Sequence, residues 1–314
     1  MRHKQIYMII NPTSGGGRGA VIGRQLSGML NKQKIAYQQV TSQYAGETLA
    51  LVKQYCRQYQ TDEERPTLLI VGGDGTVNET IQAMGEDYRH IPIAYIAAGS
   101  GNDFARGSGL PRSPKKALAH ILRLTEPQAF DIVHYHTVEK EKRGYFVNNL
   151  GLGFDALIVK IANQSRLKKF LNKLGLGTFT YVIALLRGYF KQAAFDLQIE
   201  MNGQTIAFPQ AFLVTTTIHP YFGGGVAIAP MAQNNDAKMD LVVVRKVSLL
   251  KLVQLFGGML LGGHHVKSVE FHHYQSSNMK LIIDEKVDGQ IDGEVLGQSA
   301  YELTLETEQH LFWV

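Results

Sequence analysis

The chain has 314 residues, of which 45% are hydrophobic and 19% are charged, and its formal net charge is +5. This composition excludes a disordered or disulfide-stapled chain and predicts a globular protein of two domains. The modest positive charge fits anionic lipid surfaces, nucleotides or nucleic acid, and decides among none of them. The single cysteine, Cys56, lies on an apolar helical stripe, which predicts a packed core thiol.

Strand and helix patterns alternate over about the first 125 residues. The predicted strands are Gln5–Ile10, Ile35–Thr41, Thr67–Val71 and Ile91–Ala97. Apolar residues recur at helical spacing between the strands. Between the first and second strands these residues are Val21, Ile22, Leu26, Met29 and Leu30. The alternation predicts an α/β domain, a parallel sheet with helices on both faces. Ligands of such a sheet bind at the carboxyl ends of the strands.

A glycine-rich corner follows the first strand, over Asn11–Ala20. Gly15, Gly17 and Ala20 satisfy the G-x-G-x-x-A pattern of dinucleotide-binding folds. That interpretation also requires an acidic residue after the second strand, and Gln38–Ser42 contains none. No Gly-Lys-Ser/Thr follows either, which excludes a Walker A loop. A phosphate-approaching loop remains, in which the Asn11 and Thr13 side chains also contact nucleotide.

The second corner, Gly72–Thr76, joins an apolar strand to a helix whose inner face is Val77, Ile81 and Met84. Glycines allow backbone N–H groups to approach an anion, and the helix N-terminus adds partial positive charge. Asp74 alone would repel phosphate, so its presence indicates a divalent cation held with the phosphate. A tight turn with a capping aspartate is the alternative interpretation.

The third corner, Ala98–Arg106, closes the fourth strand. Asp103 is either a functional acid or the cap of a short helix. Three glycine corners at the strand ends of one sheet predict a single cleft, which suits the polyphosphate of a nucleoside triphosphate.

After Phe130 the pattern becomes mainly β, with a hairpin at Met201–Gln204, interrupted by helical stretches at about Ala156–Ala194 and Leu249–Leu261. We therefore expect a nucleotide-binding domain at 1–130 and a β-rich, mainly antiparallel substrate domain at 131–300. Whether 301–314 returns to the first domain is left open. The basic cluster of the first helical stretch indicates either an anionic membrane contact or a solvated helix; its members are Arg166, Lys168, Lys169 and Lys173.

Together, three segments resemble the bacterial diacylglycerol kinase-like lipid kinases, relatives of diacylglycerol, sphingosine and ceramide kinases. They are Asn11–Gly15, Gly72–Asn78 and Gly101–Ala105. Asn148–Ala156 and Asp292–Glu294 extend the resemblance over nearly the whole chain. The Gly-Gly-Asp-Gly element by itself is shared with NAD kinases and phosphofructokinases. The resemblance implies that the first domain has the α/β fold of phosphofructokinases and NAD kinases and that the second domain is a mainly antiparallel β-sandwich.

The resemblance also implies site residues. The ATP site is expected at Asn11, Pro12, Thr13, Ser14, Gly15, Thr41, Gly72, Gly73, Asp74, Gly75, Thr76, Val77, Asn78 and Ser100. Asp292 and Glu294 match the motif that supplies the base for the lipid hydroxyl, and which of the two acts is left open. An ordinary hairpin turn is the alternative. Asp74 and Asp103 are expected to organise the catalytic Mg²⁺ through water.

A second, structural Mg²⁺ site is implied at Asp236, with the carbonyl groups of Gln233 and Lys238. Ala237 stands where glycine is expected, which would hinder a positive φ and alter the loop. The histidine pairs at 264–265 and 272–273 suggest zinc, but neighbouring histidines in a strand point to opposite faces. We therefore expect packed or solvated histidines.

The leading hypothesis is an ATP- and Mg²⁺-dependent kinase that phosphorylates a hydroxyl of a membrane lipid, with diacylglycerol as the first candidate. An NAD kinase-like enzyme and a catalytically silent lipid-binding regulator are the alternatives. The apolar stretch near the first residues is too short for a signal peptide, and no window holds the roughly 18 uncharged apolar residues of a membrane span. The expected location is therefore the cytoplasm, in peripheral contact with the inner face of the membrane. We expect a lipid substrate at the membrane surface and no nucleic-acid partner, and leave a homodimer open.

Overall fold

The computed structural model describes residues 5–60, 65–138, 141–164 and 186–314. Strands and helices alternate in its first part. Their bounds are β1 (Gln5–Ile10), α1 (Ser14–Lys32), β2 (Ala36–Thr41), α2 (Glu47–Tyr59), β3 (Thr67–Gly72), α3 (Asp74–Met84), β4 (Ile93–Ala97), α4 (Asp103–Gly107) and α5 (Pro114–Ile121). The strands lie in the order β2-β1-β3-β4, and all three pairings are parallel. The predicted strands are confirmed to within two residues.

Side chains of β1 alternate between two apolar cores. Tyr7 and Ile9 pack with residues of α2 and α3 on one face of the sheet. Ile6, Met8 and Ile10 pack with residues of α1 and α5 on the other face. Because successive strand residues point to opposite faces, a strand covered on both sides is apolar throughout. The predicted α/β architecture with helices on both faces is confirmed.

The apolar stripe predicted on α2 is correct at Cys56, and the one predicted on α1 is correct in part. Cys56 is completely buried on α2, and burial raises the pKa of its thiol to about 12, so it is a packed core thiol. The predicted inner face of α1 is correct for Ile22, Leu26 and Leu30 but wrong for Val21, which is 46% exposed. Val21 directly precedes Ile22, so the helical turn of about 100° per residue carries it away from the core.

The second part of the chain is mainly antiparallel sheet. Its elements are β5 (Gln128–Thr137), β6 (Lys142–Phe146), β7 (Asn149–Gly153), α6 (Phe154–Gln164), β8 (Phe195–Met201), β9 (Gln204–Thr217), β10 (Tyr221–Phe222), β11 (Val226–Ala227), β12 (Met239–Arg245), α7 (Leu249–Leu260), the short 3₁₀ helix His264–Lys267, β13 (Phe271–Ser276), β14 (Asn278–Ile291) and β15 (Glu294–Trp313). One apolar core fills the interior of the strands, and a second lies beneath α6 and α7. The predicted β-sandwich domain is confirmed.

The hairpin predicted at Met201–Gln204 is present. Met201 pairs with Gln204, and Asn202 and Gly203 between them have φ values of 51° and 72°. Positive φ at both central residues is the geometry of a type I′ turn, for which Asn-Gly is strongly preferred.

Strand β15 links the two parts of the molecule. It pairs antiparallel with β14 and β5, and its last residues Phe312 and Trp313 pair parallel with Ile93 and Ala94 of β4. Thirteen of the described strands therefore form one continuous hydrogen-bonded network that crosses from the parallel to the antiparallel part, and β10 and β11 form a separate two-stranded sheet. The turn that precedes β15 lies against α3, because Asn78 Nδ2 donates to Asp292 Oδ2 at 2.8 Å.

The long helical stretch predicted at about 156–194 is described only at its two ends, as α6 and as a helical turn at residues 186–191. The basic cluster of Arg166, Lys168, Lys169 and Lys173 lies outside the described residues. No helix in the described ranges has both the length and the apolar character needed to cross a bilayer.

Candidate active site

The loop after β1 is held against the loop after β3. Asn11 Nδ2 donates to Thr76 Oγ1 at 3.2 Å, and Asn11 Oδ1 accepts from the Thr13 hydroxyl at 2.9 Å. Gly15–Gly17 all have positive φ, and a Cβ at Gly15 would overlap the carbonyl oxygen of Ala98. The first corner therefore lies directly against the end of β4, and position 15 requires glycine for both backbone conformation and space.

The second corner makes an equally close approach. A Cβ on Gly72 would collide with the Thr76 side chain, and one on Gly73 would lie 3.1 Å from Cα of Gly99. Helix α3 begins at Asp74, so the unpaired N–H groups of its first turn and its partial positive charge lie at this edge. The three glycine corners thus meet at one place, as predicted from their positions at neighbouring strand ends.

The remaining predicted nucleotide residues lie mostly at the same edge. Thr41 is opposite Ile10 in the β1–β2 register, directly before the first corner. Ser100 is exposed in the third corner, and Gly75 is exposed in the first turn of α3. Val77 differs, because its side chain is completely buried in the apolar core. Its backbone alone can face a ligand.

Asp74 joins α3 to the loop before α4. Its Oδ2 accepts from the N–H of Asn102 at 2.7 Å, and its Oδ1 accepts from the N–H of Phe104 at 3.2 Å. Burial raises the pKa of Asp74, and the neighbouring Asp103 carboxylate raises it further. The N–H of Asp103 is a third donor to this carboxylate. A carboxylate has about four acceptor positions, so capacity remains for one more partner.

Asp103 connects the first domain to the second. Its Oδ2 accepts from the N–H of Gly224 at 2.7 Å, in the loop between β10 and β11, and its Oδ1 pairs with Arg106. Burial raises the pKa of Asp103, while the Gly224 N–H group and the Arg106 cation oppose that rise. The interpretation of Asp103 as a helix cap is wrong, because Asn102 occupies the cap position and the Asp103 side chain bonds elsewhere.

Arg106 belongs to this cluster, although sequence reasoning assigned it no role. Its guanidinium lies 5.4 Å from the ring centroid of Tyr221 and donates to the carbonyl of Gly101 at 3.4 Å. A Cβ on Gly225 would come within 2.8 Å of it. The signal in the sequence was a cation three residues after Asp103, the spacing at which helical side chains meet.

Asp292 lies in the turn between β14 and β15 and reaches back to the first domain. Its Oδ2 accepts from Asn78 Nδ2 at 2.8 Å and from the N–H of Val147 at 3.0 Å. Its Oδ1 accepts from the N–H groups of Asn148 at 2.9 Å and Asn149 at 3.0 Å. Burial raises the pKa of Asp292 to about 6, although these four hydrogen bonds favour the charged form. The acceptor capacity of the carboxylate is fully used.

Glu294 differs sharply from its neighbour. It is exposed at the start of β15, and its side chain makes no hydrogen bond to any residue of the described ranges. Tyr135 is near both acids: burial raises its pKa, and the charges of Asp292 and Glu294 raise it further. Asp292 and Gly293 have φ values of 49° and 86°, so the motif is indeed a hairpin turn. The turn therefore presents one hydrogen-bonded carboxylate, that of Asp292, and one exposed carboxylate, that of Glu294.

A buried network supports this turn from below. Gln290 Oε1 accepts from the N–H of Gly293 at 2.8 Å, and Gln290 Nε2 donates to Asp155 Oδ2 at 3.0 Å. Thr215 Oγ1 donates to the same oxygen at 3.0 Å. Because only neutral donors face it, burial raises the pKa of Asp155 to about 6. Sequence reasoning missed Gln290 and the role of Asp155, since their partners are far apart along the chain.

The loop predicted to hold a structural metal forms with alanine at the position where glycine was expected. Ala237 adopts a positive φ of 59°, so the expectation that it would forbid that conformation is wrong. The N–H groups of Asp236 and Ala237 both donate to Asp131 Oδ2 at 3.0 Å, which holds the turn in this shape. Asp236 itself accepts from the N–H of Lys238 at 3.1 Å and from Gln275 at 3.0 Å. Gln233 and Lys238 are exposed.

The two histidine pairs are placed differently from each other. His264 and His265 lie in a 3₁₀ helix rather than a strand, and His265 Nε2 lies 2.8 Å from the carbonyl oxygen of Ile228. His272 and His273 do lie in a strand. Within the described ranges, no three side chains of His, Cys, Asp or Glu are grouped to hold a metal ion.

Comparison with known proteins agrees with this architecture. Residues 5–135 match the family model described as the diacylglycerol kinase catalytic domain. Residues 148–308, more than half of the chain, match the YegS C-terminal NAD kinase beta sandwich-like domain. A putative lipid kinase YtlR of Bacillus subtilis is 26% identical over 95% of both chains. A diacylglycerol kinase of Staphylococcus carnosus is 27% identical, over 98% of this chain and 94% of that protein.

Solved structures agree on the fold. A putative diacylglycerol kinase from Bacillus anthracis superposes with a TM-score of 0.74 and 20% identity, over 99% of this chain and 95% of that one. Yeast NADH kinase in complex with NADH superposes with a TM-score of 0.52 and 11% identity, over 98% of this chain and 82% of that one. From the two family matches and the site geometry, we conclude that the chain belongs to the diacylglycerol kinase-like family of lipid kinases.

Proposed function

We propose that this enzyme transfers the γ-phosphate of ATP to a hydroxyl group of a membrane lipid, with diacylglycerol as the acceptor and phosphatidic acid as the product. The observation that carries the proposal is that α3, which begins at the second of three converging glycine corners, contacts the Asp292–Glu294 turn. Asn78 of α3 donates directly to Asp292, so the nucleotide-side helix and the acceptor-side turn are in contact. Phosphoryl transfer needs this kind of positioning, together with charge neutralisation.

The nucleotide is assigned to the corner residues. The phosphates would lie against the backbone of Asn11–Gly15 and Gly72–Thr76, with the hydroxyls of Thr41 and Ser100 at the same edge. Two features support this assignment: the positive φ of Gly15 and the N-terminus of α3, which together favour an anion. Arg18 donates to the carbonyl of Gly99 at 3.3 Å and so braces the first corner against the third.

We assign the catalytic base to Glu294. A general base must have a free acceptor position for the substrate proton. The four hydrogen bonds of Asp292 use its acceptor capacity, whereas the Glu294 carboxylate is exposed. Glu294 would take the proton from the lipid hydroxyl as the hydroxyl oxygen attacks the γ-phosphorus and the bond from that phosphorus to the departing ADP oxygen breaks. Asp292 would orient the turn.

The chain's donor set fits Mg²⁺ bound together with the nucleotide. Asp74 retains an acceptor position, and neighbouring Asp103 raises its pKa, a repulsion that a cation would relieve. Mg²⁺ commonly binds through one or two carboxylates, water and substrate phosphates. Asp74 would hold the ion through water, with Asp103 supporting the loop. The ion would neutralise phosphate charge during transfer.

The purified protein with Mg²⁺ and γ-labelled ATP tests the proposal. The acceptors are diacylglycerols, sphingoid bases, phosphatidylglycerol, polyprenols and NAD. Label on diacylglycerol is expected; label on another lipid would reassign the acceptor. Label on NAD alone would establish the NAD kinase alternative, for which the likeness to yeast NADH kinase supports the fold only. No label on any acceptor, with ATP still bound, would favour a silent lipid-binding protein.

Three finer assignments complete the proposal. We place the domain limits at residues 1–130 and 131–300, with β15 shared through its pairing to β4. We place the enzyme at the inner face of the membrane, in peripheral contact with its lipid substrate.

A second Mg²⁺ is assigned to Asp236 with the carbonyl groups of Gln233 and Lys238. Mg²⁺ without nucleotide should then raise the melting temperature of the wild type but not of Asp236→Asn; equal shifts would remove this site.

A further inference from the structure

Helix α7 is apolar on two opposite faces. Its inner face packs into the core beneath it through Leu252, Leu255 and Met259, which are all buried. Its outer face carries the exposed residues Leu250, Val253, Leu260 and Leu261. The exposed fraction of each of these residues lies between 48% and 76%. A helix at the surface of a globular protein normally has a polar outer face. The outer face of α7 therefore needs a separate explanation.

The helical turn at residues 186–191 extends this surface. Tyr189 Oη donates to the carbonyl of Val247 at 3.0 Å, and Lys246 Nζ donates to the carbonyl of Gln192 at 2.7 Å. These bonds fix the turn beside the start of α7. Phe190 on this turn is 77% exposed. We call the set Phe190, Leu250, Val253, Leu260 and Leu261 the α7 patch.

The patch lies in a basic, acid-free part of the chain. Residues 241–269 contain the cations Arg245, Lys246, Lys251 and Lys267 and no Asp or Glu. The turn at 186–191 adds Arg187 and Lys191, again without an acid, and both are exposed. An apolar face with a basic margin is typical of helices that lie in the headgroup region of an anionic membrane.

The patch is connected to the active site by a short path. Phe222 and Val226, on either side of the β10–β11 loop, pack against the same core as the inner face of α7. The N–H of Gly224, in that loop, donates to Asp103 beside the nucleotide corners. The β10–β11 hairpin and the core beneath α7 therefore link the patch to the proposed site of phosphoryl transfer.

We propose that the α7 patch is the surface by which this enzyme docks on an anionic lipid bilayer. The proposal rests on the lipid kinase function above, for which it names the membrane-facing surface. Charge favours a bilayer over a second copy of the chain. A symmetric contact between two copies would bring the same cations, Lys251 and Lys267 among them, towards each other with no acid from the patch to pair them.

The test is flotation of the full-length protein with vesicles of phosphatidylcholine alone or mixed with phosphatidylglycerol. Binding to the mixed vesicles is expected, with weak binding to phosphatidylcholine alone. In Leu250→Gln/Leu261→Gln, partitioning onto the mixed vesicles should fall about tenfold or more, because two leucine side chains no longer enter the interface. The matched control is Val21→Gln/Val138→Gln, which changes exposed valines elsewhere and should bind like the wild type.

The charge contribution is tested separately. Lys251→Glu/Lys267→Glu should also lower partitioning about tenfold or more, since each cation near an anionic surface adds about 1 kcal/mol. Lys115→Glu/Lys116→Glu makes the same charge change on α5 and is the control. All variants should keep the wild-type melting temperature and the wild-type rate on a short-chain diacylglycerol dissolved below its micelle concentration. Their rate on diacylglycerol in vesicles should fall with binding.

The outcomes separate this proposal from the proposed function. Equal vesicle binding by Leu250→Gln/Leu261→Gln and the wild type would overturn the docking surface, even if the enzyme phosphorylates short-chain diacylglycerol. Binding through the patch by a protein that phosphorylates no lipid would leave the surface standing and overturn the kinase function. If the wild type is a dimer by light scattering and the leucine variant a monomer, with vesicle binding unchanged, the patch is an interface between copies.

Discussion

The two sides of the proposed active site are built in different ways. The side proposed to bind the nucleotide, the nucleotide wall, is mostly backbone: three glycine corners approach so closely that a Cβ at Gly15 or Gly72 would overlap a neighbour. The side proposed to face the acceptor, the acceptor wall, is a side-chain network, in which Asp292 gathers donors 143 to 214 positions away along the chain. The first wall is therefore sensitive to added atoms, and the second to the loss of a hydrogen-bonding partner. Four predictions test this contrast, from the largest expected effect to the smallest.

The largest effect is expected at Glu294, the free carboxylate of the acceptor wall. Glu294→Gln removes the proposed base but no packing, so kcat should fall by about 10²- to 10⁴-fold with unchanged melting temperature and ATP affinity. Steady-state kinetics and calorimetric titration of ATP measure these quantities. Glu306→Gln, an exposed glutamate on the same strand, should behave like the wild type. An unchanged kcat in Glu294→Gln would remove this residue from the mechanism.

Asp292 should affect the fold as well as the chemistry. Asp292→Asn leaves at least one of four donors without its acceptor, so the free energy of unfolding should fall by about 2–4 kcal/mol. Asp284→Asn, an exposed aspartate on β14, is the control and should change stability little. Urea unfolding distinguishes the two. If Asp292→Asn were as stable as the wild type and only inactive, Asp292 would be the base and the two acids would exchange roles.

The backbone wall should fail by steric overlap. Gly15→Ala introduces a Cβ against Ala98 at a positive φ, so the protein should lose about 1–3 kcal/mol of stability together with ATP affinity. Gly28→Ala, on the same helix with open space around its Cβ, should be neutral or stabilising by up to about 1 kcal/mol. Unfolding and ATP titration of both variants provide the comparison. Unchanged ATP affinity in Gly15→Ala would separate this corner from the nucleotide.

The smallest effect is a pH dependence in the network below the acceptor wall. Burial raises the pKa of Asp155 from 3.8 to about 6, so between these values the folded state binds more protons than the unfolded chain. This group therefore makes the free energy of unfolding fall as pH rises through that window. His219 and His310, whose pKa values burial lowers to about 4, act in the opposite direction. The clean observable is the difference between wild type and Asp155→Asn.

Relative to the wild type, Asp155→Asn should gain about 1–3 kcal/mol in stability on going from pH 4 to above pH 6. Urea midpoints at several pH values measure the change. If the difference in stability between the two proteins did not change with pH, Asp155 would keep one protonation state over this range. Its hydrogen bonds would then cancel the effect of burial on its pKa.

Much of the nucleotide wall could be predicted from sequence because each part of it is local. An apolar run followed by glycines and then by helical spacing describes a strand, a corner and a helix within about fifteen residues, as at Thr67–Met84. Parallel strands bring their carboxyl ends to one edge, so the convergence of Gly15, Gly73 and Gly99 followed from the strand pattern. Periodicity also identified Val77 as a core residue, and its side chain is indeed buried.

The amino-acid sequence by itself determined the α/β and β-sandwich architecture, the three corners and the presence of acids at 74, 103, 292 and 294. Only the tertiary structure decided what each acid contacts. Asp103 is bound by Gly224, and Asp292 by Asn78 and the start of β7, while Glu294 stays exposed. The physical reason is that a carboxylate's role depends on its donors and its burial. Those donors come from segments that only the folded sheet brings together.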